Sequence, residues 1–295
     1  MSEARRISRT AAAPEATPAA EPNEREFVFT PADFRRVSAM IRARAGIALN
    51  DSKSDLVYSR LGRRLRAHNL QSFRAYLDLL EGDAGSPEWE SFTNALTTNL
   101  TSFFREEHHF VLLAQLLSQR APGEHLTLWC SAASTGEEPY SMAMVAAEVF
   151  GTLKPPLSIL ATDIDTQVLQ TAADGVYTMD RLEKVSEARR RQFFRRGSGE
   201  NDGLCRVVDD LRSMITFRQL NLLDSSYPMR GPFRAIFCRN VMIYFDKPTQ
   251  YQVLARMTPL LGQDGRLFAG HSESFFHAGD LIESCGSTVY KRVGT

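Results

Sequence analysis

Two spacings of apolar residues divide the chain. From residue 26 to about 96 they recur at intervals of three and four: Phe34, Val37 and Ile41, then Leu56, Leu61 and Leu65, then Phe73, Tyr76, Leu77 and Leu80, and finally Trp89, Phe92 and Leu96. That spacing lines one face of a helix. The punctuation agrees, since Thr30 offers a capping oxygen before Pro31, Gly46 can end the first helix, and Ser72 and Ser86-Pro87 open two more. With no strand alternation in this stretch, a small all-helical domain over 26–96 is expected. Beyond about residue 120 the pattern changes to short β-rich runs: HLTLWCSAA (125–133), LSILATDID (157–165), MITFRQLN (214–221), FRAIFCRN (233–240), GRLFAGHS (265–272) and STVYKRV (287–293). Near-continuous apolar strands separated by helical segments predict a doubly wound α/β domain, with a parallel sheet covered on both faces. The last two runs have no long crossover between them, which allows an antiparallel pair at one edge.

Two segments fall outside this pattern. Residues 1–25 are rich in Ala, Pro, Glu and Arg and nearly free of large apolar residues, so a disordered tail is expected. Residues 175–213 exceed an ordinary connection and hold a charged helix, SEARRRQFF, and a glycine-rich loop, RRGSGENDGLCRV; an inserted subdomain with a small hairpin is expected.

Composition narrows the function classes. The 295 residues carry 35 basic and 35 acidic side chains, so net charge gives no argument for nucleic acid or a membrane surface. The helical segment is locally basic, with nine Arg or Lys against Asp33, Asp51 and Asp55 between residues 31 and 70. That is either a solvated helix face or a docking surface for an acidic partner. Cys130, Cys205, Cys238 and Cys285 lie far apart without a CxxC pair, which suits reduced thiols in a cytosolic protein better than zinc or disulfides. Adjacent His108 and His109 point in different directions on a helix, so packing or surface roles are expected and no metal site is. No stretch is long and apolar enough to span a bilayer.

Ligands of open α/β sheets bind at the carboxyl ends of the strands. The first strand ends in SAASTGEEPYS, with one glycine and two carboxylates, Glu137 and Glu138, at a helix start. This disfavours a pyrophosphate and suits an ammonium group, although either glutamate could instead serve the helix dipole. Asp163, at the end of the second strand, can accept both hydroxyl hydrogens of a ribose, while Asp165 is placed to cap the next helix. Asn221 could read an adenine edge or simply make a turn. Ammonium, ribose and adenine without phosphate describe S-adenosylmethionine better than NAD or ATP.

TTNLTSFFRE, SAASTGEEPYS, ATDIDTQVL, the NLL after the third strand, CRNVMIYFDK and LFAGHSES occur in this order. With them the chain resembles the chemotaxis receptor methyltransferases from about residue 30 to the end. That family esterifies receptor glutamates using S-adenosylmethionine, and couples a helical N-terminal domain to a Rossmann-like class I methyltransferase domain, here 97–295, with a small inserted β-subdomain. The resemblance implies cofactor contacts at Asn99, Thr101, Arg105, Glu138 and by extension Glu137, Asp163, Asn221, Leu222, Arg239 and Asn240. Arg105 and Tyr244 match the residues nearest the transferred methyl. It also implies a cytoplasmic monomer that acts on the cytoplasmic helices of methyl-accepting chemoreceptors, with recruitment to receptor arrays and a receptor C-terminal tail peptide held at the inserted subdomain. Arg60, Arg63, Arg64 and Arg66 then become candidates for docking the receptor.

Overall fold

The computed structural model describes residues 25–294; the tail expected over 1–25 lies outside this range except for Arg25, which pairs with Asp55 at 2.5 Å. Four helices come first: α1 (Pro31–Ala45), α2 (Ser54–Ala67), α3 (Phe73–Gly82) and α4 (Glu88–Leu96). Thr30 and Asp33 form a reciprocal capping box at the start of α1, and Ser72 caps α3. Their apolar faces meet in one core around Val37, Ile41, Leu61, Leu65, Phe73, Leu77 and Phe92. Each such side chain withdrawn from water contributes about 1.5–3 kcal/mol before entropy is counted. Glu88 is buried in this domain and takes a forked pair of hydrogen bonds from Arg64 (2.8 and 2.6 Å), one from Tyr76 (2.7 Å) and a contact with His68 (2.8 Å). Burial pushes its carboxyl up, but these partners outweigh it and hold the pKa at about 2.

The second part runs α5 (His108–Ser118), β1 (Leu126–Cys130), α6 (Glu137–Phe150), β2 (Leu157–Asp163) and α7 (Thr166–Asp174), then β3 (Val176–Thr178), α8 (Glu187–Phe193), β4 (Phe194–Arg196), β5 (Leu204–Val207) and α9 (Asp209–Ser213). It ends with β6 (Ile215–Gln219), β7 (Phe233–Cys238), α10 (Lys247–Met257), β8 (Leu261–Ala269), β9 (Ile282–Gly286) and β10 (Val289–Arg292). The seven-stranded sheet has the order β6-β2-β1-β7-β8-β10-β9, with β6 through β8 parallel and β10 antiparallel to both neighbours. Separate apolar cores cover its two faces, and Cys130 and Cys238 are buried in them. This is the doubly wound, Rossmann-like fold expected from the strand pattern.

Two details correct the sequence reading. The insertion holds a three-stranded antiparallel sheet, β3-β5-β4, where a hairpin was expected. Strand β9 was not foreseen at all, because only Ile282 of its five residues is buried and an edge strand facing solvent shows no apolar alternation. Its hairpin to β10 turns through Ser287 and Thr288, both at positive φ (52° and 55°), without the Asn-Gly or Asp-Gly pair that marks such turns. His109 supports it. The buried ring sets Nε2 2.9 Å from the Ser287 carbonyl and 3.0 Å from Thr288 Oγ1, and burial lowers its pKa to about 4, keeping it neutral. His108 beside it is exposed.

Candidate active site

Chain order reverses between β1 and β7, since β2 and β6 follow on one side of β1 while β7 and β8 lie on the other. At the carboxyl ends of these strands lies a cavity of about 260 Å³. Its walls come from the ends of β1, β2, β6 and β7, from the linker 97–105, and from the α1–α2 connection, including Ile47 and Leu49. The helical domain thus closes one side of a cleft that the sheet opens. It is held there by a hydrogen bond from Ala48 N–H to the Tyr244 carbonyl (3.0 Å) and by the pairing of Arg42 with Asp246.

Glu138 and Arg239 form an ion pair in the wall, Oε2 to Nη1 at 2.5 Å. Both are buried; the guanidinium also donates to the Arg105 carbonyl at 2.5 Å and lies 3.2 Å from Glu106. Burial raises the Glu138 pKa despite the facing guanidinium. Only Glu138 of this pair keeps side-chain surface open to the cavity, so an ammonium would sit toward its carboxylate, while the wholly covered Arg239 guanidinium holds that carboxylate in place. Asp163 accepts from the N–H groups of Ser134 (2.8 Å) and Asp165 (3.0 Å), and burial raises its carboxyl to about 6. Each of its oxygens keeps a lone pair for a further donor, as a ribose diol requires. These residues fit S-adenosylmethionine.

The family models agree with this fit. One, described as CheR methyltransferase, SAM binding domain, matches residues 99–291, and another, CheR methyltransferase, all-alpha domain, matches residues 32–97. The chain belongs to the CheR methyltransferase family. It is 50% identical over 278 residues to Chemotaxis protein methyltransferase 2 of Pseudomonas aeruginosa, spanning 94% of this chain and 99% of that one. To the Chemotaxis protein methyltransferase of Escherichia coli it is 51% identical over 259 residues, 88% of this chain and 90% of the relative.

Of the residues that the family motifs single out, Asn99, Thr101, Arg105, Glu138, Asp163, Asn221, Leu222, Arg239, Asn240 and Tyr244 all line the cavity. Glu137 does not. It is wholly buried on another side of α6, paired with Arg181 of the inserted subdomain and accepting from Thr135 Oγ1 at 2.7 Å. Consecutive residues on a helix diverge by about 100°, and here the two glutamates point to different partners, Arg181 and Arg239. Gly136, just before them at φ 99°, admits the subdomain, because a Cβ there would stand 2.7 Å from the Tyr177 hydroxyl. Asn221 is placed as a turn residue rather than a free amide: Oδ1 accepts from Leu223 N–H at 3.0 Å and Nδ2 donates to the Arg44 carbonyl at 2.7 Å. Asp165 caps α7 through Oδ1, as expected, and with Oδ2 holds Thr97 and Asn99, each at 2.8 Å.

Of the basic quartet, Arg60 donates to the Ala95 and Thr97 carbonyls, Arg64 grips Glu88 and Arg66 pairs with Glu26. Arg63 is exposed and, among the described residues, makes no ion pair. Of the four docking candidates, Arg63 is therefore the one whose charge has no partner of its own among these residues. The oxygens of Glu106, close to both histidines, are already engaged by Arg239, Asn240 and the His271 N–H. Sequence reasoning passed over Glu106, whose only signal was its place beside Arg105 in FFREE.

Proposed function

We propose that the chain transfers the methyl group of S-adenosylmethionine to glutamate side chains on the cytoplasmic helices of chemoreceptors, forming glutamyl methyl esters for sensory adaptation. The observation that carries this reading is the buried Glu138–Arg239 pair beside Asp163 in one cavity at the sheet's switch point. When bound, the cofactor supplies a sulfonium-activated methyl group. A receptor glutamate is ionised at neutral pH, its reference pKa being about 4.3, so the chain need not supply a general base. What remains for the chain is to orient that carboxylate and exclude water. Arg105 is suited to orienting it, because it lines the cavity and its own hydrogen bond goes to the Leu100 carbonyl (2.9 Å), leaving its charge unspent on any carboxylate among the described residues. Tyr244 on the same wall positions the carboxylate by its hydroxyl. Ile164 and Leu222 offer apolar surface to the adenine.

The protein acts in this reading as a cytoplasmic monomer recruited to receptor arrays, and no helix among the described residues is long and apolar enough to cross a membrane. The inserted β3-β5-β4 sheet has two edge strands, and a receptor tail peptide would add to one of them. Titration with tail peptides tests that contact, and absence of saturable binding removes it. Incubation with methyl-labelled cofactor and receptor tests the chemistry: base treatment releases volatile methanol from an ester, whereas a base-stable label would instead mark methylation of an amine.

A further inference from the structure

Tyr244 and Asn240 sit on a turn of unusual shape. Asn240 follows β7 with φ 59°, a left-handed conformation that few residues other than glycine adopt, and a single short turn over Met242–Tyr244 then leads to α10. Gln250 of α10 holds this turn from one side, its Nε2 donating to the carbonyls of Met242 (2.8 Å) and Phe245 (3.1 Å). On the other side stands Glu273, from the loop after β8. It is 4% exposed and does not line the cavity. Oε2 accepts from Asn240 N–H (3.0 Å) and Gly270 N–H (2.5 Å), and Oε1 accepts from Met242 N–H (2.8 Å). One side chain thus collects backbone donors from two strand-end loops. The loops also interlock sterically, since a Cβ on Gly270 would stand 2.3 Å from Asn240 Nδ2.

We infer that Glu273 is a positioning residue for methyl transfer: by gathering these N–H groups it fixes the turn after β7 and so sets where Tyr244 and Asn240 face the cavity. An acceptor-only carboxylate is what three converging donors require. An amide in its place would turn an NH2 group toward either the Asn240 and Gly270 N–H groups or that of Met242. The inference rests on Tyr244 acting beside the transferred methyl, as proposed above.

The test is a double-mutant cycle on turnover with receptor and S-adenosylmethionine, using Glu273→Gln, Tyr244→Phe and the pair, with folding checked by thermal melting. Glu273→Gln should lower kcat at least tenfold. The double variant should fall no more than about twofold below the slower single variant, because both changes remove the same positioned hydroxyl. A role in stability alone would leave the two effects independent and multiplicative, and that result overturns the inference. So does kcat within twofold of wild type in folded Glu273→Gln beside a defective Tyr244→Phe. Wild-type turnover in Tyr244→Phe overturns the inference together with the role proposed for Tyr244. If Glu273→Gln does not fold, the same cycle is read in Glu273→Asp, which keeps the charge but withdraws it by one methylene.

Discussion

Acid should loosen the cofactor, and Asp163 sets the scale of the effect. Burial raises its carboxyl from 3.8 to about 6. With the folded pKa above the unfolded one, the native state holds the extra proton between those values. The empty protein therefore loses stability as pH rises from about 4 through 6, and the full cost of the buried charge is about 3 kcal/mol above that range. Hydroxyl groups that donate to the ionised carboxylate stabilise the form that burial disfavours. If only that form accepts a ribose diol, the apparent Kd grows by a factor of about 2 at pH 6 and about 11 at pH 5 relative to its value at high pH. Glu138, whose pKa burial also raises, adds to the loss in the same direction. Calorimetric titration of S-adenosylhomocysteine between pH 7.5 and pH 5.0 reads this directly, and buffers of different ionisation enthalpy count the proton released. A Kd constant within threefold over that range refutes the reasoning. So does an unchanged slope in Asp163→Asn, where the Asp163 part must vanish.

Other expectations follow from side chains placed above. Glu138→Gln should weaken S-adenosylhomocysteine binding by roughly tenfold or more, from the loss of a charge-assisted contact of about 1.5–3 kcal/mol, whereas Glu137→Gln should alter it by less than about threefold; calorimetry compares them. Charge reversal at Arg63 should slow receptor methylation at low salt and leave cofactor affinity unchanged, and equal methylation rates would remove the docking role. Glu88→Gln should destabilise the helical domain by about 3 kcal/mol, visible in chemical denaturation, because it breaks a buried pair and leaves Arg64 without its anion. Since the folded pKa of Glu88 is depressed to about 2, its contribution is present above the ordinary value of 4.5 and lost as pH falls through 2.

The sequence by itself determined the two domains and, apart from β9 and the third strand of the insertion, the strands and their order. Helical spacing, the Thr30 and Ser72 caps, the Asp165 cap and the apolar strands are signals between residues a few positions apart, so local geometry alone makes them legible. The same holds for the motifs at the strand ends, which topology gathers round one cavity. Tertiary structure decided which side chains meet. Glu137 and Glu138 are alike in sequence, yet Glu137 pairs with Arg181, 44 positions away, and Glu138 with Arg239, 101 positions away. Four clustered arginines read as one basic face until the fold gives Arg60, Arg64 and Arg66 partners of their own. Strand β9 stayed hidden because pairing with β10, not apolar pattern, makes it a strand. Ion pairs, and the pairing that makes so exposed a segment as β9 a strand, are set by distances that exist only after the chain has folded, and no spacing along the sequence encodes them.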